Sequence, residues 1–258
     1  FDEPRFIELT YTPKNPKKHI VLIGKGITFD TGGLSLKPSS GMETMKMDMA
    51  GGAAVLGVFS VLGALQPDIA VTGLIAATDN MPGPKAIRPG DIVAARNGKT
   101  IEILNTDAEG RLTLADMLVY ACEQKPDAIV DLATLTGAAL VALGEQIAAI
   151  FANEELLRLE IEKSAHAVGE KVWPLPLENE YRKSLKSPVA DLKNISSGRY
   201  GGTITAALFL EEFVDAKIPW AHLDIAGPAF EEKETPLTPH GGTGFGVRTL
   251  LQWLTSIN

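Results

Sequence analysis

Two carboxylates, Asp107 and Glu109, flank a single residue in the stretch Asn-Thr-Asp-Ala-Glu-Gly-Arg-Leu at positions 105–112, and Arg111 follows them. Upstream, a second polar cluster places Lys25, Asp30, Lys37 and Asp48 among glycines. Four carboxylates converging in a dry cleft repel one another unless they are protonated or neutralised. A pair of divalent cations sharing bridging oxygens is the usual answer. Such a pair, ~3.5 to 4 Å apart, polarises a carbonyl and makes hydroxide from water near neutral pH. Any one of these acids alone would read as a solvated loop residue; four in glycine-dense loops favour a site. The histidines at 19, 166, 222 and 240 are scattered. None stands at zinc-ligand spacing from another, so a His-Glu-x-x-His type of centre is absent.

Two rival motifs fail on context. Asp30-Thr31-Gly32 is the tripeptide of aspartic proteases, where two copies share a proton, but no second Asp-Thr/Ser-Gly occurs in this chain. Gly24-Lys25-Gly26 lacks the Gly-x-x-x-x-Gly-Lys-Ser/Thr spacing of a phosphate loop.

The elements that must hold these residues alternate. His19 to Gly24 reads as a buried strand running into a glycine-dense loop over 24–33. A helical pattern rich in small residues covers Met42 to Leu65, and Pro67 ends it. Ile69 to Thr78 is a second buried strand, followed by the turn-rich Asn80-Met-Pro-Gly-Pro84. Asp91 to Arg96 and Thr100 to Leu104 flank Asn97-Gly98, a strong hairpin signal, and the second arm delivers the chain into 105–111. A helix over Leu112 to Gln124 follows, with Leu114, Leu118 and Ala121 on one face. Strands are expected over Ala128 to Leu132, Ile147 to Phe151 and Trp220 to Ile225. Helices are expected from Asn153 as cap to Val168, over Thr203 to Val214, and over Val247 to Ile257. The alternation predicts a single three-layer α/β domain over residues 1–258, a mixed and mostly parallel sheet with helices on both faces. Ligand sites in such sheets collect at the carboxyl ends of strands. The polar cluster, the 105–111 loop and the Ala133-Thr134 loop all leave predicted strands.

The bulk numbers exclude several partners. A net charge of −8 argues against nucleic acid or an anionic membrane surface, both of which reward clustered Lys and Arg. No apolar run reaches the ~18 to 20 residues expected of a membrane span. One cysteine, Cys122, excludes an internal disulfide and fits a reducing, cytoplasmic compartment. The chain begins Phe-Asp-Glu-Pro without a methionine or a signal-type leader, and so reads as a piece of a longer protein.

The octapeptide at 105–112 resembles the signature of the leucyl aminopeptidases, the cytosol aminopeptidase family. Gly-Lys-Gly-Ile-Thr-Phe-Asp-Thr-Gly-Gly at 24–33 and Met-Lys-Met-Asp-Met-Ala-Gly-Gly at 45–52 are similar to that family's other metal-site segments. Ala-Thr-Leu-Thr-Gly at 133–137 and Gly-Phe-Gly-Val-Arg at 244–248 match as well. The resemblance spans nearly the whole chain, but only the family's C-terminal catalytic domain; the smaller N-terminal domain has no counterpart here.

The resemblance implies a metal-dependent aminopeptidase that removes the first residue, leucine-like by preference, from short peptides. Asp30 and Glu109 would bridge two metal ions (zinc, manganese or magnesium), with Lys25 and Asp48 completing one site and Asp107 the other. Lys25 would have to bind as the neutral amine, a form that nearby cations favour; read alone it would pass for a loop lysine. Lys37 would polarise the scissile carbonyl and steady the oxyanion. Arg111 would hold a bicarbonate that relays a proton, a planar anion suited to its guanidinium fork. Substrate would be held by Asp48 beside its free α-amine, by Leu135, and by a side-chain pocket of Met45, Thr134, Gly137, Ala226 and Ala229. The family's homohexameric assembly would carry over too.

Overall fold

The computed structural model describes residues 3–198 and 200–257. Its strands are β1 (Arg5–Tyr11), β2 (His19–Asp30), β3 (Ala70–Asn80), β4 (Ile92–Ala94), β5 (Thr100–Glu102), β6 (Ala128–Ala133), β7 (Ala148–Ala152), β8 (Val172–Pro174), β9 (Leu192–Lys193), β10 (Trp220–Asp224), β11 (Phe230–Glu231) and β12 (Gly241–Gly242). The helices are α1 (Ser39–Met42), α2 (Ala50–Leu65), α3 (Gly110–Glu123), α4 (Gly137–Leu143), α5 (Glu155–Ala167), α6 (Gly202–Glu211) and α7 (Val247–Ser256), with 3-10 turns at Met45–Met47 and Asn179–Leu185. Among the described residues, seven strands form one sheet in the order β1-β3-β2-β6-β10-β7-β8. β3, β2, β6 and β10 run parallel, while β1 and β7 join them antiparallel. The expected mixed α/β architecture with helices on both faces is the one observed.

Alternation along the central strands divides the core. Ile20, Leu22, Val130, Leu132, Ala221 and Leu223 face α2, α5 and α7, centred on Trp253. Val21, Ile23, Ile129 and Trp220 face α3 and α6, meeting Leu118 and Phe209. Neighbouring residues pointing to opposite buried faces is the mark of a central strand covered on both sides. One buried polar group interrupts the second face. The His222 Nδ1 atom lies 2.6 Å from Asp131 Oδ1, and Trp220 Nε1 donates to Asp131 Oδ2 at 2.7 Å.

Three expectations need correction. β2 does not stop at Gly24; it continues through Lys25 and Gly26 to Asp30. The glycines there serve close packing rather than a loop: a Cβ on Gly24 would lie 2.4 Å from Gly51 O, and one on Gly51 would lie 2.0 Å from Leu132 O. α2 therefore rests directly on β2 and β6. The helix expected over Met42 to Leu65 is broken into α1, a 3-10 turn and α2. That same stretch, Ser39–Leu65, is long and apolar enough to cross a membrane by length and composition alone, although Glu43, Lys46 and Asp48 interrupt it. Its apolar character comes from side chains that α2 buries in the core, Val55, Val58 and Leu62 among them. Asn153 does not cap α5. Glu154 does, accepting from Leu156 and Leu157 N–H, because Asn153 is engaged with Ile218 O and Trp220 N–H across the sheet.

Candidate metal centre

The parallel strands deliver their carboxyl ends to one edge. β2 brings Lys25 and Asp30, the end of β3 brings Asn80, the loop after β6 brings Thr134 to Gly137, and β10 ends at Asp224. The octapeptide arrives differently. It leaves β5, which pairs with β4 and β9 in a separate three-stranded sheet, and enters α3 at Gly110. The hairpin that aims it is the expected one, with Gly98 at φ +85° in its turn. Asn194, just after β9, secures the stretch from below. Its Oδ1 accepts from Leu104 N–H at 2.9 Å, and its Nδ2 donates to Asn105 O at 2.6 Å.

Lys25, Asp30, Lys37, Asp48, Asp107 and Glu109 meet at this edge. Lys25 Nζ stands 2.8 Å from Asp48 Oδ2 and 2.9 Å from Glu109 Oε1, and it donates to Thr134 O at 3.1 Å. Lys37 Nζ stands 3.0 Å from Asp30 Oδ2 and 2.5 Å from Asp107 Oδ1. Lys25 passes along Gly110, where a Cβ would lie 2.3 Å from Lys25 Cε. Thr134 Oγ1 donates to Asp48 Oδ1 at 2.7 Å.

Burial and charge compete here. Burial opposes the Lys25 ammonium, but Glu109 and Asp48 outweigh it and raise its pKa above the ordinary lysine range. The neutral amine expected from the resemblance therefore requires divalent charge beside it. Burial likewise opposes Lys37, and Asp107 and Asp30 raise its pKa instead. Burial pushes the Asp48 carboxyl up to about 6, with Lys25 pulling the other way. Burial is also the main reason the Asp107 pKa rises.

The donor set fits hard divalent cations. Ligating oxygens of Asp30, Asp107 and Glu109 lie within 4.8 Å of one another. Asp48 Oδ2, Asp107 Oδ1 and Glu109 Oε1 are buried and receive no directed hydrogen bond; each only faces a lysine nitrogen. Oxygen-rich, acceptor-only groups aimed at one another in this way suit Mg, Ca or Mn, and zinc with carboxylate ligands.

Beside the carboxylates lies a cleft of about 520 Å³, bordered by Met45, Thr134, Leu135, Gly137 and Ala226. Ala229 does not border it: at 1% exposure it belongs to the core cluster on the Trp253 side of the sheet. Arg111 reaches the cleft floor, donating from Nη1 to Asn194 O at 2.8 Å, while its Nε has no partner. Burial pulls its pKa down to about 10, against Glu109 and Asp224.

The model of the catalytic domain of the cytosol aminopeptidase family matches residues 2–251. The chain belongs to the cytosol aminopeptidase family. A probable cytosol aminopeptidase of Gloeobacter violaceus is 59% identical over 97% of this chain and 50% of its own length. One of Persephonella marina is 57% identical over the same shares. Among solved structures, the bottromycin maturation enzyme BotP is 46% identical with a TM-score of 0.92, covering 98% of this chain and 55% of that one. BotP in complex with Mn gives 0.94 at the same identity, covering 98% and 56%. The chain thus spans about half the length of the relatives it matches.

Two residues of this domain escaped the sequence reading. Asp224, wholly buried at the end of β10, accepts from Leu135 N–H (3.2 Å), Thr136 N–H (3.3 Å), Thr136 Oγ1 (2.6 Å), Thr203 Oγ1 (3.2 Å) and Ala226 N–H (3.2 Å). One carboxylate so ties two loops bordering the cleft to the start of α6. Asn80 stands among the site carboxylates. Their only sequence signal is a polar residue at a strand's carboxyl end, which many surface residues share.

Proposed function

We propose that the chain carries the catalytic centre of a metal-dependent aminopeptidase acting on peptides with a free N-terminus. The observation that carries the reading is the convergence of Lys25, Asp30, Asp48, Asp107 and Glu109 beside a cleft that also holds Lys37 and Arg111. The relatives, named as probable cytosol aminopeptidases, support the same activity.

Lys25, Asp30, Asp48, Asp107 and Glu109 would hold two divalent ions, Lys25 and Asp48 serving one and Asp107 the other, with Asp30 and Glu109 common to both. When bound they supply Lewis acidity toward the scissile carbonyl and lower the pKa of water. Manganese is supported by the neighbour solved with Mn; zinc and magnesium suit the same oxygens. Lys37 sits at the rim between Asp30 and Asp107, from where its ammonium donates to the oxygen on which negative charge develops. Arg111 borders the cleft, and its guanidinium suits a bicarbonate that accepts and returns a proton. Asp48, steadied by Thr134, holds the α-amine, so that only the terminal bond is reached. Met45, Thr134, Leu135, Gly137 and Ala226 border the space for the first side chain, and the small Ala226 leaves room for a leucine-sized one. The corresponding role of Ala229 is not carried forward, because it is buried away from the cleft.

A cytoplasmic location follows the relatives' names, and a homohexamer follows the family resemblance; light scattering tests the latter, and a monomer overturns it. The decisive assay is hydrolysis of Leu-p-nitroanilide with added Mn²⁺. Turnover that depends on metal is expected, and a folded, Mn²⁺-loaded protein without turnover overturns the reading.

A further inference from the structure

Asn80 ends β3 inside a turn-rich stretch and carries no motif, yet its side chain lies at the junction of the two halves of the site. Its Nδ2 stands 2.8 Å from Asp30 Oδ1, 2.9 Å from Thr106 O and 3.3 Å from Glu109 Oε2. All three neighbours are acceptors, so the amide must present its nitrogen to them. The residue is clamped behind this contact. Thr31 donates to Asn80 O from both N–H (2.9 Å) and hydroxyl (2.7 Å), and a Cβ on Gly33 would come within 2.9 Å of Asn80 Oδ1.

We infer that Asn80 is a positioning residue that selects which carboxylate oxygens of Asp30 and Glu109 face the metal ions. The oxygens it takes are Asp30 Oδ1, which also accepts from Gly32 N–H at 2.8 Å, and Glu109 Oε2. The ones it leaves, Asp30 Oδ2 and Glu109 Oε1, are those that face Lys37 at 3.0 Å and Lys25 at 2.9 Å, toward the centre of the cluster. A carboxamide suits this task because it orients without changing the site's charge. A lysine would compete with the cations for the same oxygens, and an aspartate would add a like charge beside two others. By holding Thr106 O as well, the amide locks the octapeptide to the end of β2. Partners of this kind fix ligand direction, and their loss typically costs ~10 to 100-fold in metal affinity.

The inference rests on the metal reading of the site, and calorimetric titration of the intact chain with Mn²⁺ alone separates the two. Wild-type protein that binds no Mn²⁺ removes the metal reading itself, before any variant is made. With wild-type binding in hand, Asn80→Ala should bind Mn²⁺ ~10 to 100-fold more weakly while its circular dichroism stays unchanged. Asn80→Ser, which keeps one short donor, should fall between them. Affinities of Asn80→Ala within threefold of wild type overturn the role of Asn80 and leave the metal reading standing. Failure of both variants to fold would make Asn80 a residue of the fold rather than of the cluster, and would equally overturn it.

Discussion

Gly110→Ala sets two effects of opposite sign against each other, and the structure decides between them. Gly110 opens α3 without a positive φ, so on propensity alone alanine should favour the helix by up to ~1 kcal/mol. The added Cβ, however, would lie 2.3 Å from Lys25 Cε and 2.7 Å from both Cδ and Nζ. Ordinary carbon contacts are ~3.5 to 4 Å, so the lysine must move by more than about 1 Å. A lysine tip usually yields cheaply; this one is only 4% exposed and is held by Asp48, Glu109 and Thr134 O at once. Overpacking costs ~1 to 3 kcal/mol, and parting a buried charge from its partners costs up to ~3 to 5. Only part of that second cost applies, because the contacts stretch rather than vanish. Net of propensity, Gly110→Ala should lose about 2 to 4 kcal/mol. Urea melts read this as a lower midpoint at unchanged slope, and Mn²⁺ titration should show weakened binding. A variant more stable than wild type by ~1 kcal/mol, with Mn²⁺ affinity intact, would refute the claim that Lys25 has nowhere to go.

Other consequences are as direct. Glu109→Gln should lose Mn²⁺ and Leu-p-nitroanilide turnover together, whereas Lys37→Ala should keep Mn²⁺ and lose rate; loss of metal in Lys37→Ala contradicts the role given to it. Asp224→Ala strips the acceptor from the Leu135 and Thr136 N–H groups. It should cost on the order of 3 kcal/mol and raise KM for peptides more than it lowers kcat, and unaltered KM would count against the loop-tying role. Burial disfavours the His222 imidazolium, but Asp131 outweighs it and raises the pKa above the ordinary 6.5. The stabilisation from that pair is therefore fully present below pH 6.5 and lost as pH rises through the folded pKa. Imidazole NMR should find wild-type His222 titrating above 6.5 and, in Asp131→Asn, below it; a wild-type value below 6.5 would sink the account.

The octapeptide and the Lys25 to Asp48 segment were legible because their chemistry is carried by residue types at short spacing. The alternation of strand and helix was legible because central strands such as β6 are short apolar runs, broken in β6 only by Asp131. Gly24 and Gly26 misled because glycine in sequence signals a loop, whereas here Gly24 admits α2 at Gly51, 27 residues on, and Gly26 admits β3 at Ile75 and Ala76. Nothing local announces that approach. Asn153 and Glu154 compete for one capping position, and a cross-sheet contact to Trp220 settled it. Ala229 has the size of a pocket residue but faces the core. Asn80 and Asp224 act only through what the fold brings to them, Thr106 in one case and Thr136 in the other.

The bracing of the octapeptide by Asn194 has a consequence for the order of events during synthesis. Asn105 and Asn194 are 89 residues apart, and at ~5 to 20 residues per second the second emerges ~4 to 18 s after the first. β2 and β3 can pair well before then, since all their residues precede position 81. The nascent chain would thus carry Lys25, Asp30 and Asp48 in place while the second half of the cluster still lacked its brace. The centre closes late, and a cation captured earlier would meet only a partial set of ligands from which it could still escape.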